Sequence, residues 1–441
     1  MGANGGLRGG LRGGLLRRGA ARLGRGLGRD EGGAVLVIIA LALTALLGLL
    51  SVAIEVGTWY TERRSLQTAA DAAAVAGALE IARGTPARMI SAATAEAARN
   101  GSGDDRVAVN NPPLSGPLAG RADAVEAIVT REQPRLFSAI VQDGTVTITA
   151  RAVALTRDAG EACVLALDGG AAGAVSGNGN PSVVMPGCMI AANSNAASAI
   201  SFSGNVSLQA QSLWTAGGVA MNGNVNLMLA RAATTHAWPL PDPYADVQVP
   251  PVGPCKYTNH KVNKSGRLKP GVYCGDLTIT GNATVTLEPG EYIINHGDLS
   301  VQGNITIDCD CGTGEGVAIV FTSTTGAGQI GGVDVRGNVS ITLRARSSAT
   351  APLRGILFYQ DRNAPAGSNV FNGNAALDVT GVMYFPAQTV EWKGNNSTQG
   401  AGCVQIVARK VVFTGNAALG NDTCTDLGAR PIASSLARLG E

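Results

Sequence analysis

Histidine is nearly missing from this chain. Its three copies, His236, His260 and His296, show no ligand spacing, and no CxxC pair is present. A tetrahedral site built on Cys and His has no ligand set here, so no metal is expected. Nor is there a phosphate loop, a Ser/His/Asp set or a Gly/Asp calcium nonapeptide, and no cofactor is called for. Aromatic residues make up only 4% and charged residues 15%, with 60 glycines filling much of the remainder. That profile suits many short turns with small side chains between them, as in an all-β stack. The net charge of +2 hides an asymmetry: seven arginines against Asp30 and Glu31 give the first 33 residues +5, leaving −3 for residues 34–441. The bulk is mildly acidic and offers nothing to nucleic acid. The "RGG" triplets at Arg8 and Arg12 are accounted for by the excess of positive charge on the cytoplasmic side of a membrane span.

The span itself is "AVLVIIALALTALLGLLSVAI", Ala34 to Ile54, 21 residues without a charge. At about 1.5 Å per residue it reaches about 31 Å, matching the roughly 30 Å hydrocarbon core of a bilayer. Arginines precede it, and Trp59 and Tyr60 follow where an interfacial aromatic belt belongs, so the N-terminus is expected in the cytoplasm. All eight cysteines (Cys163, Cys188, Cys255, Cys274, Cys309, Cys311, Cys403, Cys424) come after the span, an even number suited to an oxidising compartment.

Beyond the span, Thr61 to Gly84 is an Ala-rich helix former whose small face (Ala69, Ala73, Ala76, Gly77) suits close approach of another helix. Arg88 to Arg99 reads as a second helix, and Ala124 to Thr130 and Thr145 to Leu155 read as strands. Together they form a small α/β module beside the membrane.

From Cys163 a Gly-Asn pair recurs: Gly204-Asn205, Gly281-Asn282, Gly303-Asn304, Gly337-Asn338, Gly373-Asn374, Gly394-Asn395 and Gly415-Asn416. Apolar residues stand two and four positions before most of these glycines, as Leu277 and Ile279 do, and two and four after most, as Ile305 and Ile307 do. Period-two alternation on both sides means two strands meeting at a corner, with the glycine in an inward slot and the asparagine free to stack on its counterpart in the next turn. Spacings of 22 between Gly281 and Gly303, and 21 from Gly373 to Gly394 and on to Gly415, predict a three-sided right-handed parallel β-helix. A Greek-key sandwich is the alternative. The 58-residue step from Gly223 to Gly281 holds Pro239, Pro241, Pro243, Pro250, Pro251 and Pro254, which bar regular pairing. It reads as an insertion on the stack or a linker between two stacks. Cys403 and Cys424 each lie nine residues after a corner glycine, so they share a phase and are expected to close the last coil onto its predecessor at an open end. Cys163 with Cys188 and Cys255 with Cys274 read as further, local pairs, and Cys309 with Cys311 would bridge within its own turn only under strain. The expected domains are a cytoplasmic head (1–33), the span (34–54), the module (55–158), the β-helix (159–425, with an insertion at 239–270) and a tail (426–441).

"GAVLVIIALALTALLGLLSVAIEVGTWYTERRSLQTAADAAAVAGAL", Gly33 to Leu79, resembles the N-terminal segment of TadG-like proteins of bacterial Flp (Tad) pilus assembly. "CVLALD" from Cys163, "PGVYCGDLTITGNATV" from Pro270 and "GILFYQDR" from Gly355 resemble the extracytoplasmic part of that group. The resemblance implies a single-pass inner-membrane protein, with other pilus-assembly components as partners. Ile38 stands where a processed prepilin carries Glu, which argues against cleavage after Gly33.

Since parallel β-helices host polysaccharide-cleaving enzymes, paired carboxylates deserve a search. Asp308 and Asp310 in "DCDC" and Asp361 in "YQDR" are the candidates. A solvated loop explains the first pair and a turn contact the last, so no enzyme is expected. The sequons at Asn205, Asn282, Asn304 and Asn338 follow from the repeat itself. The reading is a non-catalytic stalk or docking domain. The alternatives are a carbohydrate-active enzyme and an adhesin, for which a polysaccharide or cell-envelope polymer is the partner.

Overall fold

The computed structural model describes residues 31–312, 315–373, 377–394, 403–419 and 424–440. Asn374, Asn395, Ser397 and the head before Glu31 lie outside the described residues. The protein is mainly β with an apolar N-terminal helix, and the chain divides into two compact units. One holds the chain up to Ala70 with 97–108 and 128–151, the other 71–96, 109–127 and 152–441.

A single helix, Glu31–Ala82, covers both the apolar run and the Ala-rich segment, because no proline interrupts two stretches of good helix formers. Leucine, isoleucine and valine side chains from Val35 to Ile54 are exposed. The helix ends where Gly84 turns to φ +72°, just ahead of Pro86, with the Thr85 amide donating back to the Glu80 carbonyl. In the first unit the Arg131 guanidinium ties strand to helix: it donates to Asp105 at 2.7 Å and to the Gly101 carbonyl at 2.7 Å, and it pairs with Glu62. In the second, Gly77 lies against Met89, Ala93 and Val125, and a Cβ there would come within 2.8 Å of Val125. The small helix face is thus used within the chain, partly against the second helix, Met89–Ala97.

From residue 162 the strands form parallel ladders, which removes the Greek-key sandwich, an antiparallel fold. Leu277–Leu287 pairs with Leu299–Cys309, Gly281 opposite Gly303 and Asn282 opposite Asn304. Residues 299–308 pair in turn with 333–342, bringing Gly337 and Asn338 into line. Gly204 faces Gly223, and Gly373 faces Gly394. The alternate apolar residues (Ile279, Val285, Val301, Ile305, Val335, Val339) are buried in one continuous core. One ladder departs from this pattern: Ala433–Leu439 pairs antiparallel with residues 154–161, so the expected tail is a strand.

Four of the corner glycines are not in inward slots. Gly204, Gly281, Gly303 and Gly337 are exposed, with φ between +95° and +121°. Two constraints select glycine: that backbone region, and the close approach of neighbouring layers. A Cβ on Gly303 would stand 2.3 Å from the Gly281 carbonyl oxygen. The asparagines that follow are not in the positive-φ region.

Nor do the layers follow chain order. The strand Val404–Phe413 has residues 381–392 on one side and, on the other, Val164 opposite Ile406 and Val175 opposite Val411. In space the layers run 257–268, 271–287, 290–309, 317–344, 356–380, 381–394 and 404–418, then 162–185, 189–210 and 213–229. The expectation that Cys403 and Cys424 seal an open end therefore fails. The layer holding Cys403 is interior, and Cys424 begins a short helix, Cys424–Leu427.

Candidate functional site

After Leu229 the chain must return across the ladder to enter it again at Tyr257, and it does so as a proline-rich strap with one turn at 243–246. From the strand Leu213–Thr215 to the strand at Gly271–Cys274 is eight ladder steps. At about 4.8 Å each that is about 38 Å. The seventeen residue-to-residue steps from Trp238 to Cys255 reach about 53 Å in polyproline geometry, enough with slack. Alternating prolines at 239, 241 and 243 keep the segment extended and remove amides that would otherwise want partners.

Side chains from successive layers hold the strap. Trp214 meets Trp238 edge-on at 5.2 Å and donates its indole N–H to the Trp238 carbonyl at 3.1 Å. The Asn193 amide brackets Leu240, donating to its carbonyl and accepting from its N–H, both at 2.8 Å. At mid-length sits a polar latch. The Tyr384 hydroxyl donates to Asp242 Oδ2 at 2.8 Å and accepts from Arg362 at 2.8 Å, while Arg362 also donates to the Tyr244 carbonyl. The Tyr244 hydroxyl donates to Gln405 at 2.7 Å and accepts the Arg430 amide at 2.9 Å. Arg430 reaches the Pro243 carbonyl and pairs with Asp246, and Tyr359 donates to the Val247 carbonyl at 3.0 Å. The Cys255–Cys274 disulfide, with Cα atoms 5.7 Å apart, fastens the far end.

The latch is saturated rather than reactive. Burial pushes the Tyr244, Tyr359 and Tyr384 phenols up, Tyr359 to about 12, and in Tyr384 the hydrogen bond to Asp242 adds to it. Neutral phenols that donate to buried acceptors are structural ties. Arg430 holds the Asp246 carboxyl below its usual range.

The carboxylates singled out in the sequence go to separate tasks. Asp310 pairs with Arg267, which also approaches Glu288 at 3.6 Å. Asp361 accepts from the Asn363 amide at 2.9 Å and from Thr322 at 3.2 Å, fixing its own turn. Asp308 has a buried Oδ1 without a hydrogen-bond partner. These three share no hydrogen-bond or ion-pair partner among the described residues. Among the described residues no group of three or more His, Cys, Asp or Glu is placed to hold a metal.

The eight cysteines form four disulfides: Cys163–Cys188 joins adjacent layers, Cys309–Cys311 bridges within one turn, and Cys403–Cys424 and Cys255–Cys274 complete the set. The corner asparagines link layer to layer, Asn304 donating to Asn282 at 3.1 Å, Asn338 to Asn304 at 2.6 Å and Asn205 to Asn180 at 3.3 Å. Asn416 accepts from the Ser182 amide at 3.2 Å. The latch residues Asp242, Tyr244, Arg362, Tyr384, Gln405 and Arg430 are absent from the sequence-based candidates. Their signal is a tyrosine and two aspartates set among prolines, in a chain otherwise poor in aromatics.

The stretch without strand ends before residue 270, because residues 257–262 and 266–268, free of proline, pair with the strand Gly271–Leu287. Residues 242–422 match the model of a domain of unknown function, DUF7305, which takes in most of the strap and the layers after it but not residues 162–229. No curated protein and no solved structure matches the chain. Residues 32–81 match the Tad family, described as putative Flp pilus-assembly TadE/G-like, and with its exposed apolar helix this segment fits a membrane-anchored protein of Flp pilus assembly.

Proposed function

We propose that this chain is a single-pass inner-membrane protein of Flp pilus assembly, with residues 34–54 as the anchor, residues 1–33 in the cytoplasm and the bulk beyond the membrane. The observation that carries it is the coincidence of the Tad match with a helix whose apolar side chains have no protein cover. Residues 159–425 act as a right-handed parallel β-helix, a non-catalytic stalk or docking body. Parallel ladders, one shared core and a strap latched across the layers support a rigid element. Carboxylates committed to turns and ion pairs support a non-enzymatic role. Its partners are other pilus-assembly components and the membrane. No geometry here favours a polysaccharide.

Deletion of the gene in cells that make Flp pili is expected to abolish piliation, with rescue by the full chain and not by a chain lacking 34–54. Normal pili with reduced attachment point instead to an adhesin. A reporter joined after Leu79 that is active only in the cytoplasm overturns the orientation.

A further inference from the structure

Glu55, the first charge after the apolar run, is buried although it lies where a membrane surface belongs. Its carboxylate accepts three hydrogen bonds from one segment: the Leu136 amide at 2.8 Å, the Ser138 amide at 2.7 Å and the Ser138 hydroxyl at 2.9 Å. A carboxylate satisfied by three donors tolerates an apolar boundary that a free one does not. The same bonds fix the height of the segment, pinning residues 136–138 to the end of the run.

What they pin there is apolar and uncovered. Leu136 is 60% exposed, Phe137 42%, and Ile140 and Val141 90% each. Four large apolar side chains, all exposed, fall within six residues with no charge among them, a concentration unlike the single exposed apolar residues of an ordinary surface. Arg135 and Asp143 mark its limits. Trp59 and Tyr60, one helical turn beyond Glu55, occupy the belt position on the same helix.

We propose that the loop 136–141 is a second membrane contact, dipping Leu136, Phe137, Ile140 and Val141 into the lipid interface beside the span. This rests on the reading of residues 34–54 as an anchor. The occupant is lipid rather than a protein partner because the patch is tied to the residue that ends the apolar run, and so continues the surface that faces hydrocarbon. A helix with one anchor point can tilt and rotate freely; a helix with a side wedge at the interface cannot. The loop would therefore set the orientation in which the helix leaves the bilayer.

All eight native cysteines are paired, so one introduced cysteine carries a single label. The full chain, reconstituted in phosphatidylcholine/phosphatidylglycerol vesicles, is labelled with a polarity-sensitive fluorophore at Leu47→Cys, Val141→Cys or Asp104→Cys, and quenched by spin-labelled lipid. Asp104 neighbours Asp105, which Arg131 ties to Glu62, about 10 Å further along the helix than Glu55. The expected result is strong quenching at Leu47 and Val141 with little at Asp104, and loss of quenching at Val141 alone when Glu55→Ala is added. Strong quenching at Leu47 with Val141 no more quenched than Asp104 overturns the loop contact and leaves the anchor standing. No quenching at Leu47 overturns the anchor, and the loop proposal with it.

Discussion

The two ends of the ladder are built on opposite principles. At one end the strands are short, Tyr257–Val262 and Gly266–Leu268, and exposed Lys256, Lys261, Lys264 and Arg267 surround them. Tyr257 stacks on Tyr273 at 4.6 Å, and the Cys255–Cys274 bond fastens the entry. At the other end lies Val219–Leu229, 11 residues with no charge, paired on one side only among the described residues, with Leu227 and Met228 exposed. Its cover is partial and comes from chain continuity, as residues 231–237 fold back over Leu213–Thr215. An unpaired edge invites further pairing, and charge, shortness and cover are the usual ways of blunting it. The first end uses charge and shortness; the second uses only cover, and only on one face.

The largest effect separates the interior from the ends. Gly303→Val meets backbone at 2.3 Å and carries φ +121°, so a loss of about 3 kcal/mol or more is expected in urea unfolding. Gly281→Ala, beside the charged end, meets nothing nearer than 3.9 Å and should lose about 1 kcal/mol from its φ alone. Equal losses would show that layer contact is not what selects glycine.

Replacing both Cys255 and Cys274 with serine should cost about 2–4 kcal/mol. Amide exchange should quicken at 257–262 and stay unchanged at 219–229. Faster exchange at both ends would mean that the strap, not the disulfide, couples them.

Between the ends, Tyr359 supplies a pH test. Its buried phenol keeps the proton up to about 12 in the folded chain, against about 10 when unfolded. The stability it contributes is complete below pH 10 and is lost as pH rises through 12. Tyr359→Phe should flatten that alkaline loss. An unchanged profile would remove Tyr359 from the latch's pH dependence.

The smallest effect concerns the charges themselves. Lys261→Thr with Lys264→Thr should change stability by less than about 0.5 kcal/mol, as surface substitutions do, yet raise self-association in sedimentation. Unaltered sedimentation would show that the lysines do not guard the edge.

Much of the ladder was legible because its signal is local. Alternation around Gly281, Gly303 and Gly337 spans nine residues, and any layer built that way must align its corners with the next. Order was not legible. That Ile406 lies against Val164 is a contact between distant segments that both carry the same pattern, and periodicity cannot tell one neighbour from another. The inward placement of the corner glycine came from extending period two through a bend, where a positive φ breaks it. The latch was hidden for a related reason. Asp242 and Tyr384 are ordinary residues until the strap crosses the ladder. Leu136 to Val141 escaped notice because six residues are too few to show a period.

The shuffled order of layers also determines how the body carries tension. The chain enters the ladder at residue 162 and leaves it near 418, and those two layers are adjacent, joined through Ile406 with Val164, Val411 with Val175 and Ala417 with Val183. The Ala433–Leu439 strand then doubles back along residues 154–161. A pull between the anchor side and the C-terminus would be borne across that one seam and its antiparallel zipper. The outer layers on both sides and the two unlike edges would stay slack, so the seam and its zipper would set the force at which the domain opens.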